Sequence, residues 1–202
     1  TDEDRIQLFP HICENEKDTI FSVTEKIDGQ SGTYFLVKKP KKFLFFGGGY
    51  EFGVCSRNLH LPKEDNSSYW TIARQYNIKK VLESLIGDEQ FIVLQGEIIG
   101  TGIQGNKYKI DGYDFYAFNL IYPDKKINSI VANDVLKQYN IKFVPILETE
   151  FKLLPTISDM VNYAKGKSLL IDGLREGVVI RNYDKNISFK VINPEFLLKN
   201  DE

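Results

Sequence analysis

Glu25-Lys26-Ile27-Asp28-Gly29 stands between two apolar runs, Ile20-Phe21-Ser22-Val23-Thr24 before it and Thr33-Tyr34-Phe35-Leu36-Val37 after it. Their β-branched and aromatic content makes both runs strands, and Gly29 through Gly32 is the expected turn from one into the next. Lys26 therefore sits at a strand end, where the backbone can hold it rigidly. An ε-amine is a nucleophile only when deprotonated, and desolvation or a nearby cation is what favours loss of its proton. Asp28 is a candidate to help hold such a cation. Taken alone, Lys26 to Gly29 is better explained as an exposed turn with a solvated lysine. Four further segments decide the matter.

The first is Phe91-Ile92-Val93-Leu94-Gln95-Gly96-Glu97-Ile98-Ile99-Gly100, a buried-strand run interrupted by one acid. A charge in such a run is paired, functional or on an edge strand. Gly96 and Gly100 permit close approach of a ligand to the backbone, and Glu97 can accept from sugar hydroxyls or metal-bound water. The loop Gly102-Ile103-Gln104-Gly105-Asn106 follows. Next, Tyr113-Asp114-Phe115-Tyr116-Ala117-Phe118-Asn119-Leu120-Ile121 alternates at strand period. Its aromatics suit a core, and one of them can also present a face to a purine, a contact worth roughly 1–3 kcal/mol per base. Arg175-Glu176-Gly177-Val178-Val179-Ile180-Arg181 again sets an acid before a β-branched strand. In Ser188-Phe189-Lys190-Val191-Ile192-Asn193 a lysine falls inside an apolar strand, where an anion such as phosphate is its natural partner.

In this order, from about Phe21 to Lys199, the five segments and Val-Cys-Ser-Arg-Asn at 54–58 resemble the nucleotidyltransferase signature of polynucleotide ligases and messenger-RNA capping enzymes. The glutamate directly before the lysine, the Gly-Glu-Ile element and the Phe-x-x-Lys ending are most similar to ATP-dependent RNA ligases of the nick-sealing, phage-like clade. The resemblance implies that Lys26 attacks the α-phosphorus of ATP, expels pyrophosphate and holds AMP as a phosphoramidate. It implies that Glu25 accepts from the adenine N6 amine, and that Gly29 lies in the nucleotide-binding loop. Arg57, placed on the strand after Gly47-Gly48-Gly49, would touch ribose or phosphate. Phe118 is the best match for the adenine-stacking ring, with Phe115 or Tyr116 as alternatives in another register. Asp28, Glu97 and Glu176 would bind waters of a Mg2+ or Mn2+ hydration shell, since a hard cation on phosphate keeps several waters. Lys190 would contact the AMP phosphate and stabilise developing charge.

One position departs from the family pattern. Many relatives carry a second lysine two residues after the one matched by Lys190, and here that position is Ile192. Either Arg181, Lys185 or Lys199 replaces it, or this branch handles pyrophosphate differently.

The expected protein is an ATP-dependent RNA ligase catalytic domain acting on RNA with 5′-phosphate and 3′-OH ends. A DNA ligase, a capping guanylyltransferase and a non-catalytic nucleotide- or RNA-binding module are the alternatives. The module is disfavoured, because without turnover it has no chemical need for Lys26, Glu97, Glu176 and Lys190 together. The chain opens at Thr1 and reads as an excised domain, residues 1–202 forming one nucleotidyltransferase domain. Thr1 to Gln7 resembles the entry into the catalytic domain of ligases that place an OB-type module upstream, so an upstream OB-type module of the same protein is an expected partner.

With 202 residues and 42% hydrophobic content, a sizeable core is expected. No run reaches the length of a membrane span and no signal pattern opens the chain, so a soluble intracellular protein without membrane contact is expected. Cys13 and Cys55 are too few for a disulfide framework or zinc site and should be reduced and structural. His11 and His60 bring no Ser-His-Asp context. The net charge of −2 is low for an RNA binder. Lys38-Lys39-Pro40-Lys41-Lys42 is the cluster placed to rim a phosphate site, while Lys79-Lys80 and Lys125-Lys126 read as solvated turns.

Helical spacing runs from Ser68 through Ile86, with Asn77 able to break it. Asn128 to Tyr139 begins with a cap and should turn Val131, Val135 and Leu136 inward. Thr156 caps a third helix with Ile157, Met160 and Val161 inward. Strands outnumber helices without a βαβ rhythm, giving an α+β class of mostly antiparallel sheets with flanking helices. The resemblance specifies this further as the nucleotidyltransferase fold, an ATP-grasp-like ligase catalytic core.

Overall fold

The computed structural model describes residues 2–40 and 48–200. Its strands are β1 (Ile20–Lys26), β2 (Gln30–Lys38), β3 (Tyr50–Cys55), β4 (Phe91–Gly100), β5 (Tyr113–Tyr122), β6 (Lys125–Lys126), β7 (Lys142–Phe143), β8 (Ile146–Lys152), β9 (Gly177–Asn182) and β10 (Ile187–Ile192). The helices are α1 (Ile12–Asn15), α2 (Ser68–Gln75), α3 (Ile78–Leu85), α4 (Ser129–Lys137), α5 (Ile157–Ala164) and α6 (Pro194–Asn200). They form two compact units, one of Gly29–Phe143 and one of Asp2–Asp28 with Val144–Glu202. Among the described residues no helix is long and apolar enough to cross a membrane.

The second unit holds a four-stranded antiparallel sheet in the order β10-β9-β1-β8. Strand period 2 sorts its residues into two faces. Phe21, Val23, Val178, Ile180, Phe189 and Val191 point into a core closed by Ile6, Phe151, Met160 and Ala164. Phe21 and Phe189 meet edge to face, with centroids 6.2 Å apart. Thr156 caps α5 as expected, its hydroxyl accepting from the Asp159 amide at 3.1 Å, while Ile157 and Val161 pack against the same core. Cys13 is buried here, and burial pushes its thiol pKa up. It is a free thiol inside the core, where a structural cysteine is expected.

The first unit is a six-stranded sheet in the order β3-β2-β4-β5-β6, with β7 added in parallel to β5. Tyr34, Leu36, Ile92, Leu94, Ile98 and Phe115 are all fully buried on one side of it. Helices α2 and α3 supply Ile72, Ala73, Ile78, Val81 and Leu82 as buried residues. They are separate helices because Asn77 takes a left-handed conformation, φ 48°, which an asparagine tolerates better than most side chains.

Several local expectations need correction. β2 begins at Gln30, so the turn shortens to Ile27–Gly29 and leads into a different sheet instead of a hairpin. In α4 the buried residues are Ser129, Ala132 and Leu136, while Val131 is 52% exposed. The apolar side runs through positions 132 and 136, one turn apart, and Val131 falls outside it. Lys79-Lys80 belongs to α3 rather than a turn. Of the Lys38–Lys42 cluster, Lys41 and Lys42 lie outside the described residues, as does Gly47. Lys38 donates to the Gly87 carbonyl at 2.8 Å and Lys39 pairs with Glu51 at 3.6 Å.

Candidate active site

In the four-stranded sheet the register places the chemistry-bearing residues in rows. Lys26 is paired with Gly177 and Gly177 with Ile192; Thr24 with Val179 and Val179 with Lys190; Ser22 with Arg181 and Arg181 with Ser188. Directly paired residues share a face, so Lys26, Lys190 and Arg181 all lie on the side opposite the apolar core. Successive rows are about 6.7 Å apart along the strands. Gly177 is required between Lys26 and Ile192: a Cβ there would stand 2.2 Å from the Val191 carbonyl oxygen.

Lys26 Nζ donates to both carboxylate oxygens of Glu176, at 2.7 Å each. The two side chains are 24% and 13% exposed. Glu176 immediately precedes β9, and its backbone is fixed by Asn193, whose amide donates to the Glu176 carbonyl at 2.8 Å. The Asn193 side chain donates to the Arg175 carbonyl at 3.0 Å and accepts from the Glu195 amide, also at 3.0 Å. Asn193 is fully buried. It was visible in the sequence only as the last letter of Phe-Lys-Val-Ile-Asn, with no role attached.

Glu25 shares a row with Val178 and Val191, on the core side, and is 1% exposed. A carboxylate in that place needs hydrogen bonds. It receives them from Ser168, whose hydroxyl donates to Oε1 at 2.5 Å, and from the Leu169 amide, which donates to Oε2 at 2.8 Å. Ser168 in turn accepts from the Leu170 amide at 3.0 Å, so the loop is closed around the carboxylate. Nothing in the sequence near Ser168 signalled this. Its partner is 143 residues away.

Lys190 extends from β10 to Asp2, Nζ to Oδ1 2.9 Å, and Arg181 Nη2 donates to Glu3 Oε1 at 2.9 Å. Lys185 donates to Glu16 at 2.5 Å and to the Thr19 hydroxyl at 2.7 Å. Arg181 and Lys185 are thus engaged away from the Lys26 row, and Ile192 itself occupies the place of the second lysine.

In the six-stranded sheet Glu97 lies on β4, between β2 and β5, so it is not an edge residue. It pairs with Ser31 on one side and Tyr116 on the other. The register of β4 with β5 slips between Gln95 and Gly96, which face Asn119 and Ala117, leaving Phe118 as the extra residue of a bulge. A bulge re-aims a side chain. Phe118 is partly exposed, whereas Phe115 is fully buried and meets Tyr34 edge to face at 5.5 Å. Phe115 is therefore removed from the candidates for stacking. Tyr116 is partly exposed, with the Lys142 ammonium 5.4 Å from its ring centroid.

Gly29 packs against β4 so closely that a Cβ would lie 2.4 Å from the Ile98 carbonyl oxygen. Arg57 corrects the expectation of a strand position. β3 ends at Cys55, and Arg57 lies exposed in the bend that follows, closed by the Ser56 amide donating to the Leu59 carbonyl at 2.9 Å. Among the described residues no three His, Cys, Asp or Glu side chains are gathered to ligate a metal directly. Contact through metal-bound water, the role expected of Asp28, Glu97 and Glu176, does not require such a cluster.

Comparison with known proteins gives the family. The family model described as RNA ligase matches residues 19–192, and the chain belongs to the RNA ligase family. Three solved structures of Naegleria gruberi RNA ligase are similar to it over 57% of their own length. The complex with pyrophosphate is 34% identical over 100% of this chain, TM-score 0.83. A lysine-to-alanine variant with ATP and manganese is 33% identical over 100%, TM-score 0.84, and a lysine-to-methionine variant with AMP and manganese is 33% identical over 98%, TM-score 0.82. The chain thus spans little more than half the length of these relatives. No curated protein matches it.

Proposed function

We propose that this chain is the adenylyltransferase part of an ATP-dependent RNA ligase. The observation that carries the reading is the Lys26–Glu176 pair on the polar side of a sheet whose next row holds Lys190. In the first step the Lys26 amine, having given up a proton, attacks the α-phosphorus of ATP. An N–P bond forms, the α–β anhydride breaks, and pyrophosphate leaves. In the second, a 5′-phosphate oxygen of RNA attacks the same phosphorus and releases the lysine, which regains its proton. In the third, a 3′-hydroxyl attacks the activated 5′-phosphate, forming the phosphodiester and expelling AMP.

Lys190 is proposed to contact the AMP phosphate, a prepositioned cation that needs no reorganisation as charge develops. Glu25, an acceptor held by the Ser168 loop, is proposed to read the adenine amine, and Phe118 to stack on the base. Gly29 and Arg57 are proposed to line the nucleotide and its ribose or phosphate. Asp28, Glu97 and Glu176 are each proposed to accept from water on Mg2+ or Mn2+, and their all-oxygen chemistry suits hard ions. Such an ion supplies positive charge to the departing pyrophosphate. The same reading includes an OB-type module elsewhere in the protein as a contributor to RNA affinity.

The test is intact-protein mass spectrometry after incubation with ATP and a divalent metal. A gain of one AMP that is lost in Lys26→Ala supports the reading. No gain from folded protein with ATP, GTP or NAD rejects it.

A further inference from the structure

On the face of the six-stranded sheet opposite Leu94, Ile98 and Phe115, one row runs across four strands. Cys55 on β3 is paired with Thr33 on β2, Thr33 with Gln95 on β4, and Gln95 with Asn119 on β5. Three of these side chains form a ladder. Asn119 Nδ2 donates to Gln95 Oε1 at 2.9 Å, and Gln95 Nε2 donates to the Thr33 hydroxyl at 3.4 Å. Asn119 is 4% exposed, and its Oδ1 is buried without a hydrogen-bond partner among the described residues. Reversing both amides would run the ladder the other way and leave the Asn119 nitrogen unpaired instead. A buried amide with one group unmet costs stability, so packing alone does not account for an asparagine here.

What the ladder gives in return is register. Gly96 is opposite Ala117 and Gln95 opposite Asn119, with Phe118 as the extra residue between. Without the bulge, Gln95 would face Phe118 and Leu94 would face Asn119, so the amide would enter the apolar side and Leu120 would leave it. With the bulge, Leu120 stays opposite Leu94, and both are at most 1% exposed. On the core side the Phe115 ring lies across Gly96 so closely that a Cβ there would stand 2.3 Å from it. On the opposite side the strand is held by Asn119, the residue directly after Phe118. Phe118 is left unpaired and partly exposed beside this anchor. The row of Glu97, two residues along β4 from Gln95, is about 6.7 Å away.

We propose that Asn119 is a positioning residue for the nucleotide base: through Gln95 and Thr33 it holds the β5 bulge in place and so fixes the Phe118 ring for stacking. The proposal rests on the reading of Phe118 as the adenine-stacking residue. Asn119 touches no nucleotide itself. Its Nδ2 is engaged by Gln95, and its Oδ1 is closed off from solvent. A bulge re-aims a side chain only while its register lasts, and a strand that slips by one residue turns every side chain over. The ladder acts on the placement of the ring and not on the reacting phosphorus. It therefore governs how tightly ATP is held, while bond making stays with Lys26.

The experiment pairs two measurements on Asn119→Ala and on Gln95→Met, which breaks the ladder at its middle with an unbranched, adaptable side chain. Hydrogen exchange of the nucleotide-free protein reads the bulge directly. Amides from Phe115 to Ile121 should exchange faster in both variants, and those of the four-stranded sheet should not. Calorimetric titration of ATP, with Lys26→Ala in every protein so that no AMP is transferred, should show binding weakened about three- to tenfold, within the range for residues that share one hydrogen-bond network. In proteins that also carry Phe118→Ala the further loss should vanish, which general destabilisation would not produce. Unchanged exchange over residues 115–121, or a loss of affinity that persists without Phe118, overturns the proposal. Phe118→Ala alone separates the two readings. If it binds ATP like the parent, stacking at Phe118 falls and the proposal with it; if it binds weakly while Asn119→Ala binds normally, only the role of Asn119 falls.

Discussion

The Lys26 ammonium lies between both oxygens of the Glu176 carboxylate, 2.7 Å from each, although 150 residues separate them in the chain. The antiparallel register makes the pair. It sets Lys26 opposite Gly177, so the residue preceding Gly177 comes alongside the lysine. Lys26→Ala should therefore have two effects. Covalent AMP is lost, and Glu176, only 13% exposed, is left without its cation. A hydrogen-bonded charge of this kind contributes about 1.5–3 kcal/mol, so a drop in denaturation free energy near that size should accompany the loss of label. A variant that still takes AMP would remove Lys26 as the nucleophile.

Asn193 is the next point of leverage, because it fixes the Arg175–Glu176 backbone from two directions. Asn193→Ala should slow Lys26 labelling by about tenfold, the scale on which supporting interactions act at active sites. The rate at saturating ATP is the diagnostic quantity. If only thermal stability falls while that rate is unchanged, Asn193 serves the fold alone.

What could be read from the sequence followed from strand period and from punctuation. The acid before β9, the lysine inside β10, the caps at Asn128 and Thr156 and the break at Asn77 are local signals, and each was legible. Glu25 shows where local reading ended. Its hydrogen-bond donors, Ser168 and the Leu169 amide, are brought to it only by tertiary structure. The β5 bulge likewise depends on how Gln95 and Gly96 meet Asn119 and Ala117. Alternation alone therefore could not choose between Phe115 and Phe118.

That choice yields a paired prediction. Phe118→Ala should leave stability almost unchanged and weaken ATP binding by about 1–3 kcal/mol, the worth of one stacked base. Phe115→Ala should do the opposite. Its ring is fully buried against Tyr34, so truncation should cost about 3–5 kcal/mol of stability. Equal ATP affinities for Phe118→Ala and the parent would take Phe118 out of the base site.

Lys185 links pH to stability. Hydrogen bonds from Lys185 and Thr19 hold the Glu16 carboxyl below its ordinary pKa. A carboxyl whose pKa is lower folded than unfolded stabilises the fold above its unfolded pKa. That contribution is lost as pH falls through the folded value. Lys185→Ala should therefore reduce stability at neutral pH slightly and make the loss below about pH 4 shallower. AMP labelling should be unaffected, since Lys185 is committed to Glu16 and Thr19. A parallel fall in labelling would assign Lys185 the phosphate role of the second lysine.

Ile192 occupies that second lysine's place, and the sheet says where a lysine there would project. Ile192 pairs with Gly177, which pairs with Lys26, so positions 26 and 192 share one row and one face, two strand spacings or about 10 Å apart. Gly177 puts no side chain between them. Ile192→Lys should add a cation beside the phosphorus that Lys26 is proposed to attack, and self-adenylylation at subsaturating ATP should rise several-fold. It should also become more sensitive to salt, because the added attraction is between charges that water reaches. A rate and salt dependence identical to the parent's would show that the phosphates do not approach this row. The search for the compensating cation would then move from the strand face to Lys199, in the last turn of α6.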